Sequence, residues 1–204
     1  MKLSEKVDYI TTTLDRLYPN PNIPLNHENN FTFLVAVMLS AQSTDKKVNE
    51  ITPYLFSKAN NPRKMCKLTT LEIKDIIREI GLAPTKAKNI KRMSELLIKK
   101  HKGKIPDNFE ELEELPGVGH KTASVIMSQA FGKPAFPVDT HIHRLAKRWT
   151  LSDGKNVLKT EKDLKKKFDK ELWNKLHLQM IFYGREYCQA RKKKCKCEIC
   201  ETTS

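Results

Sequence analysis

The chain contains a lysine and an aspartate in short motifs that would place them beside a nucleic acid. Lys121 directly follows the segment LPGVGH at 115–120, and Asp139 lies eighteen residues later in the segment VDTH at 138–141. An amine can attack an electrophilic carbon, and a carboxylate can direct protons and positive charge. Together the two side chains suit chemistry at the sugar carbon of a nucleotide.

A Pro-Gly-x-Gly turn at 116–119 separates two segments with helical patterns, a short one at 107–114 and a longer one from about 120 to 131. Such a turn presents successive backbone N–H groups at a helix N-terminus, where they can hold a phosphate without reading a base. Glycine is expected at Gly117 and Gly119, because the backbone must approach the phosphate closely and adopt a positive φ. The pattern predicts a helix-hairpin-helix, with His120 as a phosphate or packing contact.

Each of these features also has an ordinary structural interpretation. Pro-Gly turns are common at corners between helices. Lys121 would then be a solvated lysine that touches a phosphate. Asp139 would be the N-cap of the helix that follows it, a role compatible with catalysis.

The charge of the chain indicates a polyanionic partner. It has 204 residues, with 38 Lys and Arg against 24 Asp and Glu, for a formal net charge of +14. Neutralised phosphates release condensed counterions, so nucleic acid is favoured over an anionic membrane. The longest nearly apolar run, Phe31 to Leu39, is far shorter than the roughly 20 residues of a membrane-spanning helix. The start of the chain lacks the apolar region of a signal peptide, so a cytoplasmic location is expected.

The pattern of apolar residues predicts an all-α fold. Apolar residues recur at helical spacing, and the seven glycines fall between or at the ends of these segments. Alternation typical of a strand is absent from the sequence. The segment Gly-Lys-Pro at 132–134 marks a boundary.

Four of the five cysteines lie in the last seventeen residues: Cys188, Cys195, Cys197 and Cys200. This odd number and this crowding do not fit a disulfide framework spread through a secreted fold. Metal or cluster ligation is the better interpretation, while Cys66 is expected to be a partly buried small side chain.

The hairpin motif and the segment VDTHIHR at 138–144 resemble the signature of the endonuclease III family, bifunctional DNA glycosylases of the helix-hairpin-helix superfamily. Further matching segments stand in the family's order: MLSAQSTD at 38–45, IGL at 80–82, KAKNI at 86–90 and YGR at 183–185. The resemblance implies a six-helix barrel at 23–133, which contains the hairpin at about 107–131. It implies a second, four-helix domain, formed by the N-terminal helix at 1–22 and by residues 134–204, with a cysteine-rich cluster loop at 188–200.

The resemblance also implies an activity, the removal of oxidised pyrimidines from duplex DNA by a monomer. Lys121 would attack C1′, expel the base and form a Schiff base, and β-elimination would then cut the strand 3′ to the lesion. Asp139 would assist. Gln42 and Leu82 would fill the gap left by the flipped nucleotide, although from sequence alone the better interpretations are a polar residue near a helix N-terminus and a core leucine.

By the same resemblance, the four C-terminal cysteines are ligands of a [4Fe-4S] cluster. The family spacing is C-x6-C-x2-C-x5-C, whereas the later spacings here are x1 and x2. Iron-sulfur sites accept varied spacing, but a four-cysteine zinc site or no metal remain alternatives. The intervening loop would present basic side chains to phosphates, or be a charged tail: Arg191, Lys192, Lys193 and Lys194.

Two competing functions are a non-catalytic, structure-specific DNA-binding module and a monofunctional relative with another lesion specificity. The basic charge and the hairpin would suffice for a binding module. The presence of both Lys121 and Asp139 argues against it. Relatives that act on adenine mismatches lack the hairpin lysine, which argues against the monofunctional alternative.

Overall fold

The structure is a computed structural model that describes residues 1–191 and 195–203. Throughout these residues the regular elements are helices and no strand occurs, so the all-α prediction is confirmed. The chain divides into two compact units, residues 23–131 and residues 1–22 together with 132–204. Within the described residues, no helix is both long and apolar enough to cross a membrane.

The unit at 23–131 contains seven α-helices, counted within this fully described range. They are α2 (Asn30–Ser40), α3 (Asp45–Lys58), α4 (Pro62–Met65), α5 (Thr70–Ile76), α6 (Ala83–His101), α7 (Phe109–Glu113) and α8 (His120–Val125). The last one continues into a π-helical turn at Ile126–Ala130.

Helix α2 is apolar on all sides, and it lies at the centre of this unit. Every residue from Phe31 to Leu39 is buried. Asn29 begins the helix by accepting hydrogen bonds from the N–H groups of Phe31 and Thr32, both at 3.0 Å. Helices α3, α6 and α8 pack around α2. A helix without a polar face is stable only when it is surrounded in this way.

The predicted hairpin consists of α7 and α8, which pack against each other. Asn108 caps α7 by accepting a hydrogen bond from the N–H of Glu111 at 2.9 Å. Leu112 and Leu115 are buried, as their helical spacing predicts. The turn at 116–119 therefore joins two helices that are anchored in the core of the unit.

The second unit combines the N-terminal helix with the C-terminal third of the chain. Its elements are α1 (Leu3–Leu17), α9 (Thr140–Arg148), α10 (Val157–Lys167), a 3-10 turn (Lys170–Leu172), α11 (Trp173–Glu186) and α12 (Glu198–Thr203). Helix α1 packs against α11 and α12, and it contributes Ile10 and Leu14 to the core. The rings of Trp149 and Tyr183 meet edge-on in this core, with centroids 5.6 Å apart.

Candidate functional site

Gly117 is the point at which the hairpin turn touches the rest of its unit. Its φ is +83°, a left-handed value that favours glycine. A β-carbon at this position would lie 2.8 Å from Cε of Met38 and 2.9 Å from Nδ2 of Asn89. Conformation and packing both require glycine at 117, and the expected positive φ is confirmed there.

Gly119 differs from Gly117 in both respects. It is the N-cap of α8 with φ −98° and ψ 177°, so the expected positive φ is wrong at this position. Apart from the adjoining backbone, no described atom lies within 4 Å of where its β-carbon would be. Internal packing does not require glycine at 119, and the space in front of the turn is open to an external group.

His120, the first residue of α8, holds the two helices of the hairpin together. Its Nδ1 lies 2.8 Å from Oε1 of Glu113 on α7. Its ring stacks on Phe109, with centroids 5.7 Å apart and an interplanar angle of 22°. The packing role expected for this histidine is therefore present in the structure.

Lys121 is the second residue of α8 and its side chain is exposed. It stands next to the open N-cap at Gly119. In the described hairpin, no side chain caps the N-terminus of α8. The amine and the first backbone N–H groups of α8 are thus at one exposed helix end, where a positive electrostatic potential favours an anion.

Asp139 belongs to the other unit, where it caps α9. Its Oδ1 accepts a hydrogen bond from the N–H of Ile142 at 2.8 Å, which confirms the predicted N-cap. The residue is partly exposed, although the four residues before it are buried. The carboxylate is therefore fixed in orientation by its own helix and still open to solvent.

Gln42 and Leu82 have the same unusual backbone conformation. Their φ values are 56° and 62°, in the left-handed region that non-glycine residues rarely adopt. Both are exposed, and Leu82 is exposed at 55 %. The alternative interpretation of Leu82 as a core leucine is therefore wrong.

Gly81 brings the two segments together. A β-carbon at this glycine would lie 3.0 Å from the carbonyl oxygen of Gln42. The backbone before Leu82 thus contacts the backbone of Gln42 directly.

Lys86, in the first turn of α6, is buried, whereas a lysine on a helix is normally exposed. It is only 7 % exposed. Its ammonium donates hydrogen bonds to the carbonyl oxygens of Leu39, at 2.9 Å, and Ala41, at 2.5 Å. Burial lowers the pKa of this lysine. The signal in the sequence was its helical spacing with Ala83 and Ile90, which lie on the same buried face.

The four C-terminal cysteines come together in the second unit. Their Sγ atoms all lie within 4.8 Å of one another. Cys188, Cys197 and Cys200 are buried, and Cys195 is partly buried. Hydrogen bonds with Cys188 and Cys200 lower the pKa of Cys197 well below its usual range. The convergence of the four sulfur atoms means that the group can bind a metal, which requires the thiols to be deprotonated.

Two other predictions concern residues that are not members of this group. Cys66 is partly buried in the other unit, and its burial raises its pKa, as expected for a structural thiol. Arg191 is exposed in the cluster loop, while Lys192, Lys193 and Lys194 lie outside the described residues.

The described residues combine an all-helical fold, an open hairpin and a four-cysteine group, and the comparisons identify the class of DNA repair protein to which the chain belongs. Residues 35–170 match the family profile described as HhH-GPD superfamily base excision DNA repair protein. Endonuclease III of Bacillus subtilis is 40 % identical over 192 residues, which cover 94 % of this chain and 88 % of the relative. The chain therefore belongs to the HhH-GPD superfamily of base excision DNA repair proteins and, within it, to the endonuclease III family.

Another relative and two solved structures support this family assignment. Endonuclease III of Escherichia coli K12 is 42 % identical over 186 residues, which cover 91 % of this chain and 88 % of the relative. A non-covalent endonuclease III–DNA complex superimposes with a TM-score of 0.91 at 38 % identity, and covers 99 % of this chain and 98 % of its own. A trapped covalent endonuclease III–DNA intermediate gives the same TM-score and identity, with 99 % of each chain covered.

Proposed function

We propose that this protein is a base excision repair DNA N-glycosylase with AP lyase activity, which removes oxidised pyrimidines from duplex DNA. The observation that carries the proposal is the exposed Lys121 beside the open N-cap at Gly119. The family relationship supports the same activity. A repair enzyme of this kind acts on the chromosome, so the proposal includes a cytoplasmic location.

The proposed reaction begins with a flipped nucleotide, because C1′ is out of reach in a stacked duplex. The neutral amine of Lys121 attacks C1′ and the glycosidic C–N bond breaks. The base leaves with the bonding electron pair and receives a proton, while the amine loses one. The product still holds the sugar ring closed, so the C1′–O4′ bond breaks next, O4′ takes a proton, and the nitrogen lone pair forms the C=N bond of a protonated Schiff base. This Schiff base acidifies the C2′ proton, and loss of that proton expels the 3′ phosphate by β-elimination.

Asp139 is proposed to assist this reaction through its carboxylate. A carboxylate near C1′ stabilises the positive charge that develops on the sugar as the base departs, and it can relay a proton. The hydrogen bond to the N–H of Ile142 fixes its orientation. Capping and catalysis are therefore compatible in one side chain.

The remaining hairpin residues are proposed to hold DNA by its backbone. The open N-cap at Gly119 lets a phosphate approach the N–H groups of α8, and Gly117 gives the turn its shape. The hydrogen bond between His120 and Glu113 holds the two helices of the hairpin in place around this phosphate site. Arg191 and the three lysines that follow it are proposed to bind further phosphates.

Gln42 and Leu82 are proposed to occupy the gap left in the duplex. The amide of Gln42 can bond to the orphaned partner base, and the apolar side chain of Leu82 can enter the stack. Their exposure and left-handed backbone support this role, because strained conformations concentrate at functional sites.

The four cysteines are proposed to hold a [4Fe-4S] cluster, and their donor set fits one. Four thiolates are the usual ligands of such a cluster, and the fold gathers all four cysteines at one place. When bound, the cluster would supply cross-links that fix the loop carrying Arg191. A single zinc ion is the alternative, since four thiolates at about 2.3 Å from one ion lie about 3.8 Å apart, and Cys188 and Cys200 are separated by 3.7 Å.

The experiment that tests the proposal uses an end-labelled duplex with a single thymine glycol, and the matching undamaged duplex as the control. Cleavage at the lesion without alkali is the expected result. Cleavage only after alkali would show a monofunctional glycosylase. Binding of the damaged duplex without base release would show a binding module.

A further inference from the structure

A buried ammonium in the unit at 23–131 has no role in the reaction proposed above. Lys86 lies in the first turn of α6 and is 7 % exposed. Burial of an ammonium is unfavourable, and an apolar side chain of similar size would avoid the loss of hydration. A buried lysine whose charge is not needed for the reaction calls for another physical reason.

The hydrogen bonds of Lys86 connect it to the residue before Gln42 and to Leu82 itself. Its ammonium bonds to the carbonyl oxygen of Ala41, the residue before Gln42, at 2.5 Å. Its backbone N–H bonds to the carbonyl oxygen of Leu82 at 3.0 Å. Lys86 is therefore bonded to both segments, at the residue before Gln42 in one and at Leu82 in the other.

The same ammonium also closes the C-terminal end of α2. It bonds to the carbonyl oxygen of Leu39 at 2.9 Å. A cation is favoured at a helix C-terminus, where carbonyl groups lack partners and carry partial negative charge. The segment that leaves α2 toward Gln42 is thus fixed at its start as well as at Ala41.

The backbones of the two segments also touch, at Gly81 and Gln42. We call this contact, together with the hydrogen bonds of Lys86, the joint. A β-carbon at Gly81 would lie 3.0 Å from the carbonyl oxygen of Gln42. Left-handed conformations of non-glycine residues persist only where their surroundings fix them. The bonds of Lys86 and the contact at Gly81 provide that restraint for Gln42 and Leu82.

We propose that Lys86 is a positioning residue for gap filling, which holds the Gln42 and Leu82 segments together so that both side chains enter the duplex at once. The inference rests on the proposed function and extends it to a residue that touches neither the damaged nucleotide nor the gap. Loss of the ammonium frees the segment at Ala41 from α6, and the two side chains no longer act as a unit.

The chain offers a matched control in the same helix. Lys91 also donates hydrogen bonds to two backbone carbonyl groups, those of Cys66 and Leu68. These groups lie at the end of α4, and neither flanks Gln42 or Leu82. Lys91→Met removes the same kind of interaction without disturbing the joint.

The experiment compares Lys86→Met with Lys91→Met on one abasic strand, used both as a duplex and as a single strand. A single strand has no stack to fill and no orphaned base. We expect Lys86→Met to slow strand cleavage in the duplex about tenfold or more, while the single-strand rate stays near that of the wild type. Lys91→Met should leave the ratio of the two rates unchanged.

Equal losses on duplex and single strand would show that Lys86 has only a structural role and would overturn the inference. If Lys86→Met does not fold, Gly81→Ala perturbs the joint from the other side, and it should give the same selective loss. If the wild type cleaves neither substrate, the proposed function is wrong and the inference is lost with it. Failure of the inference alone differs, because the wild type then cleaves both substrates.

Discussion

Gly117 packs directly against Asn89, so that a β-carbon at 117 would lie 2.9 Å from Nδ2 and 3.0 Å from Cβ of that asparagine. The φ of +83° adds a conformational penalty for any other residue. We expect Gly117→Ala to lower the free energy of unfolding by about 2 kcal/mol, as measured by urea denaturation. An unchanged unfolding midpoint would show that the turn relaxes without strain.

Gly119→Ala should change DNA affinity more than stability, unlike Gly117→Ala. The φ of −98° suits alanine, and apart from the adjoining backbone no described atom lies within 4 Å of the new methyl group. Stability should fall by about 1 kcal/mol or less, through the weaker N-cap. Affinity for duplex DNA should fall clearly, because the methyl group occupies the space that a phosphate needs. Unchanged affinity in a gel-shift titration would mean that no phosphate binds at this N-cap.

Conservative substitution can separate the capping role of Asp139 from its proposed catalytic role. Asparagine is as good an N-cap as aspartate, so Asp139→Asn should keep the bond to Ile142 and the stability of α9. Asp139→Ala should lower the stability by about 1 kcal/mol. Both variants should lose base release, as measured by single-turnover kinetics on a damaged duplex. Full activity of the asparagine variant would show that Asp139 acts only as an N-cap.

Local features of the fold were predictable from the sequence, because they depend on neighbouring residues. Helical spacing gave the all-α class, and the apolar run at 31–39 is a buried helix. The Pro-Gly turn gave the left-handed φ at Gly117. These features follow from steric limits and from periodicity within a few residues.

Other features depend on contacts between distant residues, and periodicity does not encode them. Lys86 is bonded to a carbonyl group 45 residues earlier in the chain, and a lysine on a helix is normally exposed. The left-handed backbone of Leu82 has no local signal, because leucine rarely adopts it. The resemblance to a family pointed to Gln42 and Leu82, whereas the contacts of their segments with Lys86 and Gly81 join residues that are far apart in the sequence.

Salt should weaken DNA binding strongly. The formal net charge of +14 and the open hairpin imply contacts with several phosphates. If about six are neutralised, the affinity should fall roughly a thousandfold between about 50 and 200 mM salt. The slope of the logarithm of the binding constant against that of the salt concentration measures this number. A flat response would contradict binding to the DNA backbone.

Metal analysis should find about four irons per chain, together with the broad visible absorbance of an iron-sulfur cluster. Cys197→Ser should lose this metal because its sulfur lies within the four-thiol group. Cys66→Ser is the matched control and should retain it, since Cys66 lies in the other unit. One zinc per chain without colour would show that the shortened spacing has changed the metal.

Borohydride trapping on a duplex with one abasic site tests for the Schiff base at Lys121, with the wild type and Lys121→Ala compared side by side. Lys121 is exposed, so its replacement should leave the fold and most of the DNA affinity intact. A covalent protein–DNA band is expected for the wild type and none for Lys121→Ala. An equally strong band from the variant, or no band from folded wild-type protein that binds the duplex, would contradict a Schiff base at Lys121.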